Sequence, residues 1–255
     1  MRDRAFSATS ALLFIASAGA TLYLCRAMAG GMTMPGDWTM SMVWIREPAG
    51  SLVAAAGGFL VAWIVMMVAM MLPSLIPVLS NYRQSILALD EGGSGARTTL
   101  FGAGYFSVWA GIGIAAYALG MLVTGAEERW PALARSVPAW SGAVLMLAGC
   151  WQFTGWKARE LARCRESLAC EQGRHVTATG AMQGGLRLGA HCALCCGGLM
   201  VTLLVTGVMS VAGMLLIAVA ITAERLAKRP DWVARTVGAG MLVVGAVWIA
   251  RSLGS

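Results

Sequence analysis

The chain has 255 residues, 58% of them hydrophobic and only 12% charged, with a mean hydropathy of +0.71. A soluble domain carries about 25% charged residues, so a water-soluble globule is excluded. Several apolar spans of about 20 residues each, crossing a lipid bilayer, are expected instead. The net charge of +7 is then no footprint of nucleic acid, because Lys and Arg of a membrane protein mark its cytoplasmic loops.

In chain order, the first predicted span covers residues 8–28. Ala27-Met28-Ala29 mimics a signal-peptide cleavage site. The apolar run exceeds the core of about 7–15 residues that such peptides carry, so an uncleaved span is the reading. The loop that follows holds Met28, Met32, Met34, Met40 and Met42. Thioethers need no deprotonation, so this loop suits weak Cu(I) binding even at low pH; an apolar hairpin resting in the membrane interface is the alternative. The second span, residues 52–76, contains Met66, Met67, Met70 and Met71 and ends at Pro73 and Pro77.

The third span, residues 100–123, repeats Ala103, Ser107, Gly111 and Ala115 every fourth residue. Such a stripe lets a neighbouring helix approach closely, although glycine richness is ordinary in membrane helices. The fourth span, residues 139–156, has Trp140 and Trp156 as interfacial anchors. Residues 157–187 read as the longest polar loop, with six basic residues and with Cys164, Cys170 and His175. The apolar run from Leu188 to Ala223 is 36 residues long. As one helix it would reach about 54 Å, against a hydrocarbon core of about 30 Å. Two spans, 188–206 and 209–226, fit better, and a last one covers 232–250. With a cytoplasmic N-terminus, this seven-span arrangement puts 14 of the 19 basic residues inside; merging the fifth and sixth spans leaves an 11-to-8 split. Positive-inside bias favours seven.

Sulfur is the chemical theme. Cys192, Cys195 and Cys196 stand at i, i+3 and i+4, on one face of a helix. The four methionines of the second span share faces in the same way, and the topology puts both clusters in the cytoplasmic half of the membrane. Thiolate and thioether donors select Cu(I); Zn(II), which prefers four N or S ligands, also fits. His191 and Gln152 are accessory donors in this reading, with capping or snorkelling the plainer role for His191. Methionine also fills gaps in apolar cores, so packing stands beside metal binding for Met66 to Met71. Only Cys25 of the seven cysteines falls near the outer face, which does not suit a secreted disulfide framework. Cys25 and Cys150 read as packing residues. Glu224 is an intramembrane acid near enough to the interface to be a plain ion pair, with Arg225 beside it.

Several motifs occur together: Trp63-x-x-Met66-x-x-Ala69-Met70-Met71-Leu72-Pro73-Ser74, Gly149-Cys150-Trp151-Gln152, Cys192-x-x-Cys195-Cys196, and Gly207-Val208-Met209 with Glu224. From about Trp63 onward the chain resembles a bacterial family of predicted metal-binding integral membrane proteins, a domain of unknown function sometimes described as a copper chaperone. The resemblance implies a metal. Where the family has Lys-x-x-Cys-Leu-x-x-Cys-Arg, this chain has Glu160 at the first cysteine position, giving Lys157-x-x-Glu160-Leu161-x-x-Cys164-Arg165. Glu160 and Cys164 can still share a ligand. Leu194 and Gly197 replace the family's glycine and tryptophan around the retained cysteines.

The expectation is an all-α, seven-span bundle in the bacterial cytoplasmic membrane that binds Cu(I) in delivery, transport or homeostasis. Its candidate ligands are Cys192, Cys195, Cys196, Met66, Met67, Met70 and Met71, with weaker candidates in Cys164, Glu160, His191, Met32, Met34, Met40 and Met42. The expected partners are the lipid bilayer and a copper-handling protein or copper enzyme, with no nucleic acid. There is no G-x-x-x-x-G-K-[ST] motif for ATP and no C-x-x-C-H motif for haem. Two rivals stay open: a thiol-redox membrane protein using Cys192 and Cys195, and a non-catalytic assembly subunit.

Overall fold

A computed structural model of the chain describes residues 2–27, 32–34, 38–40, 52–88, 93–170, 177–208 and 210–254. These residues form eight helices and one two-stranded hairpin: α1 (Arg2–Ala27), β1 (Met32–Met34), β2 (Trp38–Met40), α2 (Leu52–Ala88), α3 (Ser94–Arg129), α4 (Pro131–Trp151), α5 (Gly155–Cys170), α6 (Ala178–Thr206), α7 (Val211–Leu226) and α8 (Pro230–Gly254). Apart from this short hairpin, the described residues form an all-helical membrane bundle. Five helices, α1, α2, α3, α6 and α8, are long and apolar enough to cross a bilayer. The apolar part of α4, Ser136–Trp151, is shorter, and α7 has 16 residues.

Several boundaries differ from the sequence reading: the fourth span, read as 139–156, ends at Trp151, with Trp156 in α5, and three differences bear on the site. α2 does not stop at its prolines but continues to Ala88. Prolines are tolerated in a membrane helix when neighbours hold the backbone in place. Here the extension carries Leu75, Val78, Leu79, Tyr82 and Ile86 into the core, and Tyr82 packs on Phe101 of α3 at 4.7 Å between ring centroids. The polar stretch after Trp156 is not a loop: α5 occupies its first half. Lys157, Glu160, Leu161 and Cys164 are buried on one side of α5, at the i, i+3, i+4, i+7 spacing of an amphipathic helix. α6 begins a full ten residues before Leu188, with Thr177 accepting a hydrogen bond from the Gly180 N–H at 3.1 Å as its N-cap.

Between α6 and α7 the chain breaks at Gly207, whose φ of +112° only glycine adopts without strain. Ser210 then caps α7 by accepting from the Gly213 N–H at 3.2 Å. The break lets α7 fold back against α6.

Glycine sets the closest helix contacts. A Cβ on Gly185 of α6 would collide with the Phe101 carbonyl of α3, and one on Gly189 would lie 2.9 Å from the Tyr105 carbonyl. This approach uses Gly104, not the stripe through Gly111, which faces open space. It brings Tyr105 of α3 against the cysteine turn of α6. α4 and α8 meet in the same manner, with Gly142 facing Gly245 and Gly149 facing Gly238. One apolar cluster runs through the bundle and includes both the α2 methionines and the α6 cysteines.

Candidate metal centre

Cys192, Cys195 and Cys196 lie in the middle of α6, and all three are buried. Helical spacing turns them to one side, and the Sγ atoms of Cys192 and Cys196 stand 3.7 Å apart. The thiols of Cys195 and Cys196 donate back to the Cys192 carbonyl at 3.3 and 2.7 Å, the usual way a short polar side chain is satisfied in an apolar helix.

A fourth sulfur joins them. Cys164 of α5 is fully buried, and the sulfurs of Cys164, Cys192 and Cys195 all lie within 4.8 Å of one another. Among the described residues, this group has the ligand types and convergence for a metal ion. The amphipathic face of α5 explains the convergence: Leu161 and Cys164 point with Lys157 and Glu160 into the seam between α6 and α7.

Polar groups surround the sulfurs. The Tyr105 hydroxyl donates to Cys192 Sγ at 3.0 Å. Arg225 of α7 donates through Nη1 to Ser74 Oγ of α2 at 2.8 Å and approaches Cys192 Sγ at 3.7 Å. Ser74 donates in turn to the Met71 carbonyl at 3.0 Å. α2 is thus tied to the cysteine site through Ser74 and Arg225. Met66, Met67, Met70 and Met71 are all buried in the shared cluster, one to two turns before Ser74.

The flank of the site is ionic. Lys157 Nζ pairs with Glu224 Oε2 at 2.7 Å, both side chains almost wholly buried. Glu224 therefore takes Lys157 as its partner while its neighbour Arg225 turns to the sulfurs, since adjacent helical residues point about 100° apart. Arg165 closes the end of α7 by donating to the Glu224 and Arg225 carbonyls at 3.2 and 2.6 Å, which satisfies two of the last carbonyls of that helix.

Glu160 sits one turn before Cys164 and contacts His191 Nδ1 at 2.8 Å, with Arg163 at 2.5 Å on its other oxygen. The hydrogen bond to His191, helped by Arg163, holds the Glu160 carboxyl below its ordinary pKa against the opposing effect of burial. Glu160 thus fixes the ring of the histidine preceding Cys192. Such a carboxylate–histidine pair orients the other ring nitrogen.

Of the remaining candidates, Met32 and Met40 are cross-strand partners in the β1–β2 hairpin, with Met34 opposite Trp38. Met42 and His175 lie outside the described residues. Cys25 is buried and Cys150 exposed. Sequence reasoning missed Tyr105, Arg225 and Lys157. Lys157 read there as a cytoplasmic loop charge and Arg225 as the neighbour of Glu224 at the end of a span. The available signal was Glu224-Arg225 at the end of an apolar run, where two charges on one helix turn require two partners.

A family model described as a copper chaperone, PpoB2, matches residues 60–248, which includes α5, α6, α7 and the methionine tract of α2. Comparison with curated proteins and with solved structures finds no match.

Proposed function

The chain belongs to this copper chaperone family, and on that premise we propose that it binds Cu(I) at an intramembrane sulfur site and serves copper delivery or homeostasis. The single observation that carries the reading is the convergence of Cys164, Cys192 and Cys195 within 4.8 Å, all buried. Soft thiolates in a water-excluded pocket suit Cu(I), which accepts low coordination numbers and soft donors. Cys196, His191 and Glu160 supply further donors at the rim. Zn(II) fits the same sulfurs but prefers a closed tetrahedral set.

In this proposal the protein is a multi-pass component of the bacterial cytoplasmic membrane with its N-terminus inside. α4 and α7 join the five long helices as the sixth and seventh crossings, and α5 lies at the cytoplasmic end. Ions captured by the methionine hairpin move past the α2 methionines to the cysteines and on to a copper-handling partner protein. Metal analysis of the purified protein after Cu(I) loading tests this. The expected result is copper in the wild type and little in Cys192/Cys195/Cys196→Ser. Equal copper in both proteins overturns the assignment.

A further inference from the structure

The β1–β2 hairpin has two unlike faces. Its strands pair antiparallel in the register Met32 with Met40, Thr33 with Thr39 and Met34 with Trp38. Successive residues of a strand alternate between faces. Residues 32, 34, 38 and 40 therefore share one face, and Thr33 and Thr39 share the other. Methionine is one residue in fifteen of this chain, 17 of 255, yet it fills every non-aromatic position of the first face. Strands ordinarily take their apolar residues from Val, Ile and the aromatics, so apolarity alone does not account for methionine three times over. The hairpin also precedes residues 60–248, the segment matched by the copper chaperone family model, so the family match does not extend to it.

We propose that this face binds one soft monovalent cation through the thioethers of Met32, Met34 and Met40, with the indole of Trp38 as the fourth wall of the site. The inference rests on the metal-binding reading above in giving the hairpin a ligand set, but it needs no contribution from the cysteines. Directly opposite residues of an antiparallel pair lie about 4.5–5.5 Å apart at Cβ and diagonal ones about 7–8 Å, within reach of long side chains. Methionine is unbranched and flexible, so three such positions can serve one ion. A thioether is a neutral soft donor, matched to Cu(I) or Ag(I). Zn(II) is held by thiolate, imidazole or carboxylate, none of which this face carries. Neutral donors leave the ion its full positive charge, which the face of an indole attracts. No group in the set titrates, so occupancy is the same at acidic and neutral pH.

The test is a methionine-oxidation footprint of the full-length protein in detergent and chloride-free buffer. Peroxide converts accessible thioethers to sulfoxides, and peptide mass mapping reads each methionine separately. Ag(I) is the probe, a soft monovalent ion that keeps one oxidation state. In the wild type, Ag(I) is expected to protect Met32, Met34 and Met40 together, at acidic and neutral pH alike, and Zn(II) to protect none of them. This comparison needs no substitution, so it decides even where a variant fails to fold. Trp38→Leu keeps the face apolar and is expected to raise the Ag(I) concentration for half-protection about 2–30-fold, the range of a cation–π contact. Met32→Leu is expected to strip protection from Met34 and Met40 as well, since one ion holds all three. A face that merely rests on lipid or detergent is shielded equally with and without Ag(I), and that result overturns the inference. So does continued protection of Met34 and Met40 in Met32→Leu, or an unchanged half-protection concentration in Trp38→Leu. Protection of the hairpin in a chain whose cysteines bind no copper upholds the inference and removes the cysteine site. Loaded cysteines beside an unprotected hairpin do the reverse.

Discussion

The α6 cysteine turn and the α2 methionine tract look alike in sequence, as sulfur clusters at helical spacing in apolar runs. In the folded bundle they differ in what surrounds them. The cysteines meet a tyrosine hydroxyl, a guanidinium and a thiol from another helix. The methionines share the apolar cluster with Trp63, Phe59 and Leu75, and Trp63 spends its one donor on the Trp109 carbonyl at 2.9 Å. A thioether is content with dispersion contacts, whereas a buried thiol and its neighbours must find hydrogen-bond partners. Sulfur count therefore says less than the polarity of the surroundings.

This contrast is open to direct attack. The largest expected effect is on folding. Glu224→Gln strands the Lys157 ammonium, and losing one member of a buried pair costs about 3–5 kcal/mol. Denaturant unfolding in detergent should show it, and Lys157→Met in the same chain should recover part of the loss. A neutral outcome for Glu224→Gln would mean that the polar flank is no more committed than the methionine side.

Cys164→Ser is expected to lower Cu(I) affinity about 10–100-fold with little change in fold, as read by chelator competition. Met67→Leu, a volume-conserving change, should cost under about 1.5 kcal/mol and leave Cu(I) affinity at the wild-type value. If Met67→Leu loses as much copper affinity as Cys164→Ser, the two regions are one site and the contrast collapses. The smallest effect belongs to Tyr105→Phe, which removes one neutral hydrogen bond to Cys192 and should cost about 0.5–1.5 kcal/mol. Thiol alkylation followed by mass measurement sharpens the picture further: a reversible mass shift at Cys192 and Cys195 between oxidised and reduced samples would favour the redox rival.

The sequence made the cysteine face readable because i, i+3, i+4 spacing needs only a helix to bring side chains together. It also made the break after Thr206 readable, because length alone forbids one helix there. What stayed hidden depended on contacts between helices. Cys164 looked like a loop thiol because α5 is rich in arginine, yet its buried face at 157, 160, 161 and 164 carries the helical period. Arg225 looked like a cytoplasmic cation because charge bookkeeping assigns sides, not partners. The extent of α2 was masked by two prolines, whose local cost is outweighed by packing of the residues beyond them. The glycine contacts were half visible: small residues recur throughout α3, but only the partner helix selects Gly104 over Gly111.

The placement of α5 has a kinetic consequence. Its Cys164 completes the sulfur group from outside α6, and the same helix is fastened at Glu160 to His191 and at Arg165 to the end of α7. All four sulfurs are shielded from solvent. An ion seated among them, or a thiol reagent seeking them, has to wait for local opening of this cover, an event slower than side-chain motion and governed by the stability of those few fastenings. On the metal-binding proposal, exchange at this site is expected to follow the opening of α5, so that residues that never touch sulfur set its residence time.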